Sequence, residues 1–326
     1  MTPQARLTQA LAPIRRQLAV SADRMLSALA DPVARKVVYL ITAGGKRLRP
    51  ALVLLAGATG PAPRWAELID TAAAVELIHT ATLIHDDIID QSALRRSRPT
   101  FHHRWGAERA LLMGDYLYAT AFTLLTRLPT PGVMGILAQV CQQLCRGELR
   151  EVEARDRLDL TEAEYLAIIR DKTASLIGGC CQSGALLGGS PPELVQRLTA
   201  FGVHFGLAFQ MIDDCLDLTG DPQQLGKSIH TDADKGALSL PLIYLTRTLS
   251  RRQRRRLFAP LRRRPNDPVF RTRIARAAAA CGAITTAQAK AQAQIALAQQ
   301  ALADIPLNGC AGTYQLLADY AVSRRR

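Results

Sequence analysis

The sequence is poor in aromatic residues, and this scarcity limits the folds that it can adopt. Phe, Tyr and Trp together make up 5% of the 326 residues, while hydrophobic residues of all kinds make up 48%. Alanine and leucine, which abound, favour helices, whereas strands are enriched in β-branched and aromatic residues. We therefore expect a helical protein with a sizeable core, and the composition excludes a chain that is disordered throughout.

Membrane-spanning, secretory and disulfide features are also missing. No run approaches the roughly 20 apolar residues that cross a membrane, and Arg6, Arg15 and Arg16 interrupt any apolar signal core. The seven cysteines are odd in number and none lies in a Cys-x-x-Cys pair, so neither a disulfide scaffold nor a zinc site is indicated. Reduced thiols and a cytoplasmic location are the expectation.

Acidic residues are absent where basic residues are densest. Eight arginines and no acid lie in 251–264, and Arg324, Arg325 and Arg326 add three more to a net charge of +13. The remaining 30 basic residues nearly balance the 28 acidic ones. We interpret the basicity as peripheral, a solvated face or a weak contact with an anionic surface, and we expect no nucleic-acid partner.

Long proline-free intervals predict the helices. Apolar residues recur at helical spacing in 64–92, and 285–304 is rich in Ala, Gln and Leu with Pro306 just past its end. We predict about ten helices and no convincing strand. Neither a linker nor a repeat of fixed period interrupts the pattern, so we expect one all-α domain over 1–326, a helical bundle.

Two copies of Asp-Asp-x-x-Asp stand out within apolar sequence. In the first, Asp86 and Asp90 lie at i and i+4, on one helix face that also carries His79. We call Asp86 and Asp90 the first acidic stripe. The second acidic stripe is a row at i, i+3, i+4 and i+7, formed by Gln210, Asp213, Asp214 and Asp217.

The apolar surroundings argue against two solvated faces. Carboxylates in an apolar helix are costly unless they are paired or bind a metal, and like charges at i, i+4 repel. Oxygen ligands without cysteine or histidine suit Mg²⁺, which usually takes one or two carboxylates together with substrate phosphates. The two stripes therefore predict a Mg²⁺ site.

Basic segments supply the complementary charge. Gly44-Gly45-Lys46-Arg47-Leu48-Arg49-Pro50 combines a flexible turn with three cations, and Arg95-Arg96 follows the first stripe. Lys172-Thr173 and Gly226-Lys227-Ser228 offer further donors, although the latter lacks the glycine spacing of a P-loop. Because arginine matches phosphate geometry, these segments beside two Mg²⁺-type stripes suggest a diphosphate ligand.

Taken together, these motifs resemble the trans-polyprenyl diphosphate synthase family from about residue 40 onwards. Further markers are Glu76-x-x-His79, Gly114-Asp115, Gly147-Glu148, Lys172-Thr173-Ala174 and Leu225-Gly226-Lys227. The resemblance implies an isoprenoid-synthase bundle with the stripes facing a central cavity, isoprenoid diphosphate substrates, a homodimer, and peripheral membrane contact for product release. Three positions depart from the family pattern: Ser97 replaces Gly, Glu151 replaces Gln, and Ala237 replaces a lysine, with Lys235 nearby.

The resemblance also implies a role for each site residue. Mg²⁺ would be held by Asp86, Asp90, Asp213 and Asp217. The allylic diphosphate would contact Arg95, Lys172, Thr173, Gln210 and Lys227, of which Lys172, Thr173 and Gln210 also stabilise the allylic cation. Isopentenyl diphosphate would be bound by Gly45, Lys46, Arg49, His79 and Arg96.

The resemblance implies that product length depends on the residues one turn before Asp86. Ala81 and Thr82 occupy these positions, and short-chain relatives commonly carry an aromatic floor there. Both are small, so we expect a product longer than geranylgeranyl diphosphate, unless a neighbouring helix such as 114–128 supplies the floor. The alternatives are a short-chain farnesyl or geranylgeranyl diphosphate synthase, a terpene cyclase, a subunit that needs a non-catalytic partner, or a basic protein that binds nucleic acid or a membrane surface.

Overall fold

Helices dominate the computed structural model, which describes residues 2–41, 45–219, 236–263 and 268–324. In chain order they are α1 (Pro3–Leu11), α2 (Arg15–Ser27), α3 (Asp31–Ile41), α4 (Leu48–Thr59), α5 (Trp65–Ile89), α6 (Phe101–Trp105), α7 (Ala107–Thr126), α8 (Pro131–Ala154), α9 (Glu162–Ile169), α10 (Ser175–Leu187), α11 (Pro192–Thr219), α12 (Leu240–Thr248), α13 (Arg251–Arg263), α14 (Pro268–Ala280), α15 (Ala283–Ala301) and α16 (Ala311–Ser323). A 3₁₀ turn spans Ala12–Ile14, and a π-helical turn spans Arg170–Ala174. The all-α prediction is confirmed, with more helices in the described ranges than the ten expected.

The two helices that carry the acidic stripes form the centre of the bundle. α5 packs against α4 and α7, and α11 packs against α10 and α15. Leu68, Ala72, Val75 and Leu77 of α5 are buried although they point in several directions around the helix. A helix that is apolar on most sides belongs in a core. The stripes are therefore polar ends of otherwise buried helices.

The helices predicted at 64–92 and 285–304 correspond to α5 and α15. One local pairing was not predicted: Leu94–Arg95 and Arg98–Pro99 form a two-stranded antiparallel hairpin. Its turn residues, Arg96 and Ser97, both have left-handed backbones, with φ of 51° and 62°. Two-residue hairpin turns require such angles, which explains why glycine is favoured at the Ser97 position.

The arginine-rich helix α13 lies on the surface. Its residues Leu257 and Phe258 are buried, whereas Arg251, Arg252 and Arg255 are exposed. All seven cysteines are free thiols. Within the described ranges, the helices are too short or too polar to cross a bilayer.

Candidate active site

A cavity of about 590 Å³ opens between the ends of the two central helices. Side chains from α5, α7, α8, α11 and the π turn form its walls, and the segment before α12 closes one side. The residues from the sequence motifs that line it are Arg49, His79, Thr82, Asp86, Asp87, Asp90, Arg95, Lys172, Thr173, Gln210, Asp213, Asp214 and Asp217. The fold thus brings both acidic stripes and several of the predicted cations into one site.

Both acidic stripes lie at the C-terminal ends of their helices. α5 ends at Ile89 with Asp90 as its C-cap, and Asp217 lies two residues before the end of α11. A helix C-terminus carries partial negative charge, so carboxylates there are destabilised unless cations approach. Both stripes therefore require positive charge in the cavity.

The carboxyl of Asp86 illustrates this requirement. Burial raises its pKa to about 7, and Glu148 adds to the rise while Lys172 opposes it. In addition, Oε1 of Glu148 is buried and accepts no hydrogen bond. Oxygen donors of this kind fit a hard divalent cation such as Mg²⁺.

Few ligands converge on any single point of the described structure. No group of three or more acidic, histidine or cysteine side chains there is arranged to hold a metal ion by itself. Mg²⁺ commonly uses only one or two carboxylates and completes its shell with waters and substrate phosphates. The donor set therefore fits a cation that binds together with a diphosphate.

Asp87, the second acid of the first motif, holds a cation in place. It is 3% exposed, and its Oδ1 accepts hydrogen bonds from Nε and Nη2 of Arg95, each at 2.8 Å. Arg95 in turn lines the cavity. Asp87 thus fixes the position of a predicted diphosphate-binding arginine.

The second motif contains a comparable division of roles. Asp214 is 3% exposed and accepts hydrogen bonds from the Tyr165 hydroxyl at 2.6 Å and from Nε2 of Gln210 at 2.8 Å. The Gln210 carbonyl oxygen accepts from the Thr173 hydroxyl at 3.0 Å. Because that hydroxyl donates its proton to Gln210, the lone pairs of Thr173 remain available to a cation in the cavity.

The π turn determines where Lys172 and Thr173 lie. It joins α9 to α10 and packs against α8 and α11. A Cβ atom at Gly147 of α8 would lie 2.5 Å from the Lys172 backbone nitrogen. Only glycine permits this approach, which gives the Gly147-Glu148 motif a structural reason. Isolated π turns often occur at functional sites.

The Lys172 ammonium contacts two glutamates of α8. Its Nζ lies 2.7 Å from Oε2 of Glu148, and it also pairs with Oε2 of Glu151. Burial opposes the charged form, but Glu151, Asp86 and Glu148 outweigh it and raise the pKa of Lys172 above its usual value. Lys172 is therefore a charged, partly buried cation within a group of carboxylates.

A second cationic region adjoins the first. Arg49 Nη1 lies 3.1 Å from His79 Nε2, and because a guanidinium only donates, this ring nitrogen accepts. Burial lowers the pKa of His79 well below its usual value, and Arg49 lowers it further. His79 is therefore neutral, with its proton on Nδ1.

The remaining residues of that region meet at its edge. Arg96 Nη1 lies 3.0 Å from the point that a Cβ of Gly45 would occupy. The Lys46 ammonium lies 5.9 Å from the ring centre of Phe209 and 5.4 Å from that of Tyr320. The segment at Gly45 and Lys46 and the hairpin that carries Arg96 thus lie side by side, as expected for one anion-binding region.

Sequence reasoning missed two arginines that contact the acidic stripes. Arg155, the C-cap of α8, places Nη2 2.9 Å from Oδ1 of Asp90. Arg324 places Nη1 2.6 Å from Oδ1 of Asp213, stacks 3.6 Å from the Phe209 ring centre, and donates to the Phe209 carbonyl. The expectation that the tail arginines are peripheral is wrong for Arg324, whose side chain is 2% exposed.

One chain-length residue is not where the sequence predicted it. Ala81 is fully buried and is not part of the cavity wall, whereas Thr82 is. At about 100° per residue, Thr82 lies about 40° from Asp86 around α5 and Ala81 about 140° away. The wall also includes Tyr118 of α7, in the helix considered as the alternative floor. Lys227, Lys235 and Gly44 lie outside the described residues.

Comparisons with known proteins identify close relatives. The sequence model for polyprenyl synthetases matches residues 31–278. The chain is 40% identical over 238 residues to heptaprenyl diphosphate synthase component 2 of Geobacillus stearothermophilus, covering 73% of each chain. It is also 40% identical over 211 residues to a geranylgeranyl diphosphate synthase of Methanosarcina mazei, covering 63% of this chain and 64% of the other. A polyprenyl synthase of Caulobacter crescentus, crystallised with calcium and isoprenyl diphosphate, superposes with a TM-score of 0.92 at 32% identity over 98% of each chain.

Proposed function

This chain belongs to the polyprenyl synthetase family and is a polyprenyl diphosphate synthase, a transferase, and we propose that it makes a product longer than geranylgeranyl diphosphate in a Mg²⁺-dependent reaction. The reaction joins isopentenyl diphosphate to an allylic diphosphate. The C–O bond of the allylic diphosphate breaks, the double bond of isopentenyl diphosphate attacks the allylic carbon, and a proton passes to the released diphosphate. A single catalytic domain over 1–326 remains our proposal for the domain organisation.

The metal-binding role falls to Asp86, Asp90, Asp213 and Asp217, with Glu148 beside them. Bound Mg²⁺ would neutralise the charge of the departing diphosphate. The position of the carboxylates at helix C-termini and the raised pKa of Asp86 support this assignment, because both indicate carboxylates that a nearby cation stabilises. Asp90 and Asp213 are paired with Arg155 and Arg324 in the structure and would exchange these partners for the metal.

Arg95 and Lys172 hold the allylic diphosphate. Arg95 reaches the cavity from the hairpin that follows α5, and Lys172 reaches it from the π turn. We extend this set to Lys227 from the sequence motif. Thr173 directs its oxygen lone pairs at the allylic carbon, while Gln210 orients the Thr173 hydroxyl through their hydrogen bond. Fixed oxygen dipoles stabilise a cation as it forms.

Isopentenyl diphosphate is bound by Arg49, His79, Lys46, Arg96 and Gly45. Neutral His79 accepts from Arg49 and so fixes the guanidinium that faces the cavity. The Gly45 and Arg96 segments supply donors at the edge of the same region. With each diphosphate in its own cationic region, the double bond and the allylic carbon are brought together.

One observation supports the proposal more than any other: both acidic stripes and the cations Arg49, Arg95 and Lys172 line one cavity. The test is incubation of purified protein with labelled isopentenyl diphosphate, each allylic primer and Mg²⁺, followed by product-length analysis, with EDTA as the control. Products longer than C20 are expected. Products that stop at farnesyl or geranylgeranyl diphosphate would contradict the length, and a cyclic hydrocarbon would indicate a terpene cyclase.

For the quaternary structure, we propose a homodimer through α7 and α8. Leu111 and Leu112 of α7 are 53% and 67% exposed, and Leu149 of α8 is 64% exposed. Exposed apolar side chains on neighbouring helices are typical of a protein interface. Light scattering should give twice the chain mass, and Leu112→Glu should lower it whereas Leu297→Glu, on the remote helix α15, should not. A monomer that gains activity only with a second protein would instead match the two-component alternative.

We also propose that α13 contacts anionic membranes peripherally, where a long isoprenoid product would partition. The exposed arginines Arg251, Arg252 and Arg255 support this assignment. Binding to phosphatidylserine-containing vesicles, but not to phosphatidylcholine vesicles, should be lost at high salt. The free thiols support a reducing compartment, which we propose is the cytoplasm.

A further inference from the structure

Lys172 has more negative charge around it than one ammonium can neutralise. Glu148 and Glu151 lie three residues apart on α8, so both side chains leave the same face of the helix. Glu148 and Glu151 both contact the Lys172 ammonium. Asp86 also lies close enough to raise the pKa of Lys172. Taken alone, the Lys172–Glu148–Glu151 group has a formal charge of −1.

Nearby arginines do not compensate for Glu151. Arg146 and Arg150 belong to the same helix, but both bind Asp171 on the π turn. The distances are 2.7 and 3.0 Å for Arg146 and 2.9 Å for Arg150. Arg155 pairs with Asp90 instead. Among the described contacts of Glu151, Lys172 is its cationic partner.

The backbone near Lys172 is fixed, so the ammonium is the adjustable part. Gly147 lets α8 contact the Lys172 backbone directly. Asp171, the residue before Lys172, pairs with two arginines of α8. The lysine side chain can therefore exchange partners without movement of the turn. Its partners are two glutamates in the structure described here and a diphosphate in the reaction.

We propose that Glu151 is a positioning residue that holds Lys172 against α8 and weakens the affinity of the cavity for inorganic diphosphate. This inference rests on the proposed contact between Lys172 and the allylic diphosphate. Each condensation leaves one inorganic diphosphate in that place, and it must depart before the lengthened chain can occupy it. A carboxylate that competes for Lys172 favours this departure.

The test compares Glu151→Gln with Glu153→Gln. Glu153 lies on the same helix, is exposed, and has no ion pair within the described part of the chain, so its variant matches the change in charge. Calorimetry with inorganic diphosphate and Mg²⁺ should show about three- to tenfold tighter binding for Glu151→Gln, since the carboxylate that competes with diphosphate for the Lys172 ammonium is removed. Glu153→Gln should bind as the wild type does. The inhibition constant of inorganic diphosphate in the prenyl transfer assay should fall by a similar factor.

A double-mutant cycle separates this inference from the proposed function. Lys172→Met should weaken diphosphate binding, and adding Glu151→Gln to it should have no further effect. If Lys172→Met leaves binding unchanged, the proposed role of Lys172 is wrong. If Lys172→Met weakens binding but Glu151→Gln behaves like Glu153→Gln, or tightens binding equally in the Lys172→Met background, Glu151 does not act through Lys172 and the inference is overturned. Thermal denaturation of all variants confirms that each is folded.

Discussion

The cavity and the helix α13 are both rich in charged side chains, but these side chains differ in burial and in ion pairing. In the cavity, several carboxylates have an arginine partner: Asp87 pairs with Arg95, Asp90 with Arg155 and Asp213 with Arg324. On α13, the exposed arginines Arg251, Arg252 and Arg255 have no acidic partner in the described ranges. The number of charged residues in a segment therefore says little about function, whereas burial and pairing say much.

The difference is energetic. A buried charge destabilises the protein unless it is paired, so the cavity can keep its acids only with compensating arginines, lysine or a bound cation. Solvated arginines carry no such penalty and contribute little to stability. Substitution should consequently have large effects in the cavity and small ones on α13.

The largest effect is expected at the acidic stripes. Asp86→Ala or Asp213→Ala should lower turnover by several powers of ten, because each removes a carboxylate assigned to the metal that assists diphosphate departure. Turnover is measured at saturating Mg²⁺, together with thermal denaturation to verify folding. Asp159→Ala, an exposed acid, is the control, and turnover within tenfold of wild type in either stripe variant would contradict the assignment.

The next effect concerns the contact between α8 and the π turn. Gly147→Ala should lower the free energy of unfolding by about 1–3 kcal/mol, since the new methyl group would meet the Lys172 backbone. Turnover should fall as well, because Lys172 and Thr173 move with the turn. Chemical denaturation and steady-state kinetics measure both effects. Gly135→Ala on the same helix, where an added Cβ meets nothing within 4 Å, should leave turnover unchanged and should not lower the free energy of unfolding, because alanine favours a helix over glycine.

A more selective change is expected along α5. Thr82→Phe should shorten the dominant product while turnover on short primers survives, because a ring at this position enters the cavity. Ala81→Phe should instead overpack the core and lower the melting temperature. Product-length analysis and thermal denaturation distinguish the two. A shortened product from a stable Ala81→Phe variant would show that the growing chain passes behind α5.

The smallest effect is expected on α13. Replacing Arg251, Arg252, Arg255 and Arg256 together by Gln should leave turnover within about twofold and stability nearly unchanged, because these side chains are solvated. Steady-state kinetics without lipid provides the measurement. Complete loss of activity in a folded variant would place this helix within the catalytic machinery.

Features of the site that depend on residues close in sequence could be predicted, whereas contacts between residues far apart in sequence could not. The acidic stripes depend on spacing within one helix, and the sequence displays that spacing directly. The contacts of Arg155 with Asp90 and of Arg324 with Asp213 join residues 65 and 111 positions apart. No local sequence pattern predicts such contacts. The hydrogen bond from Tyr165 to Asp214 spans 49 positions and was missed for the same reason.

The position of Ala81 outside the cavity wall has a different origin. The prediction used the height of residues 81 and 82 along the helix below Asp86 and did not use their directions around it. Ala81 and Thr82 have nearly the same height but differ by about 100° in direction, and Thr82 lines the cavity while Ala81 is packed in the core. The hairpin at Leu94–Pro99 was missed because its strands have two residues each, too few for an alternating pattern.

Because Arg170–Ala174 forms a π turn, the structure here depends on the number of residues in the turn as well as on their identity. A π turn accommodates one more residue than an α-helical turn, so loss of one residue would let the chain continue as a regular α-helix from α9 into α10. Because a single π turn takes the place of one α turn, the buried side chains of α10, such as Leu176 and Cys180, would nearly keep their directions. The side chains of Lys172 and Thr173 inside the turn would change theirs. Among natural relatives, we expect residues here to be exchanged but neither inserted nor deleted.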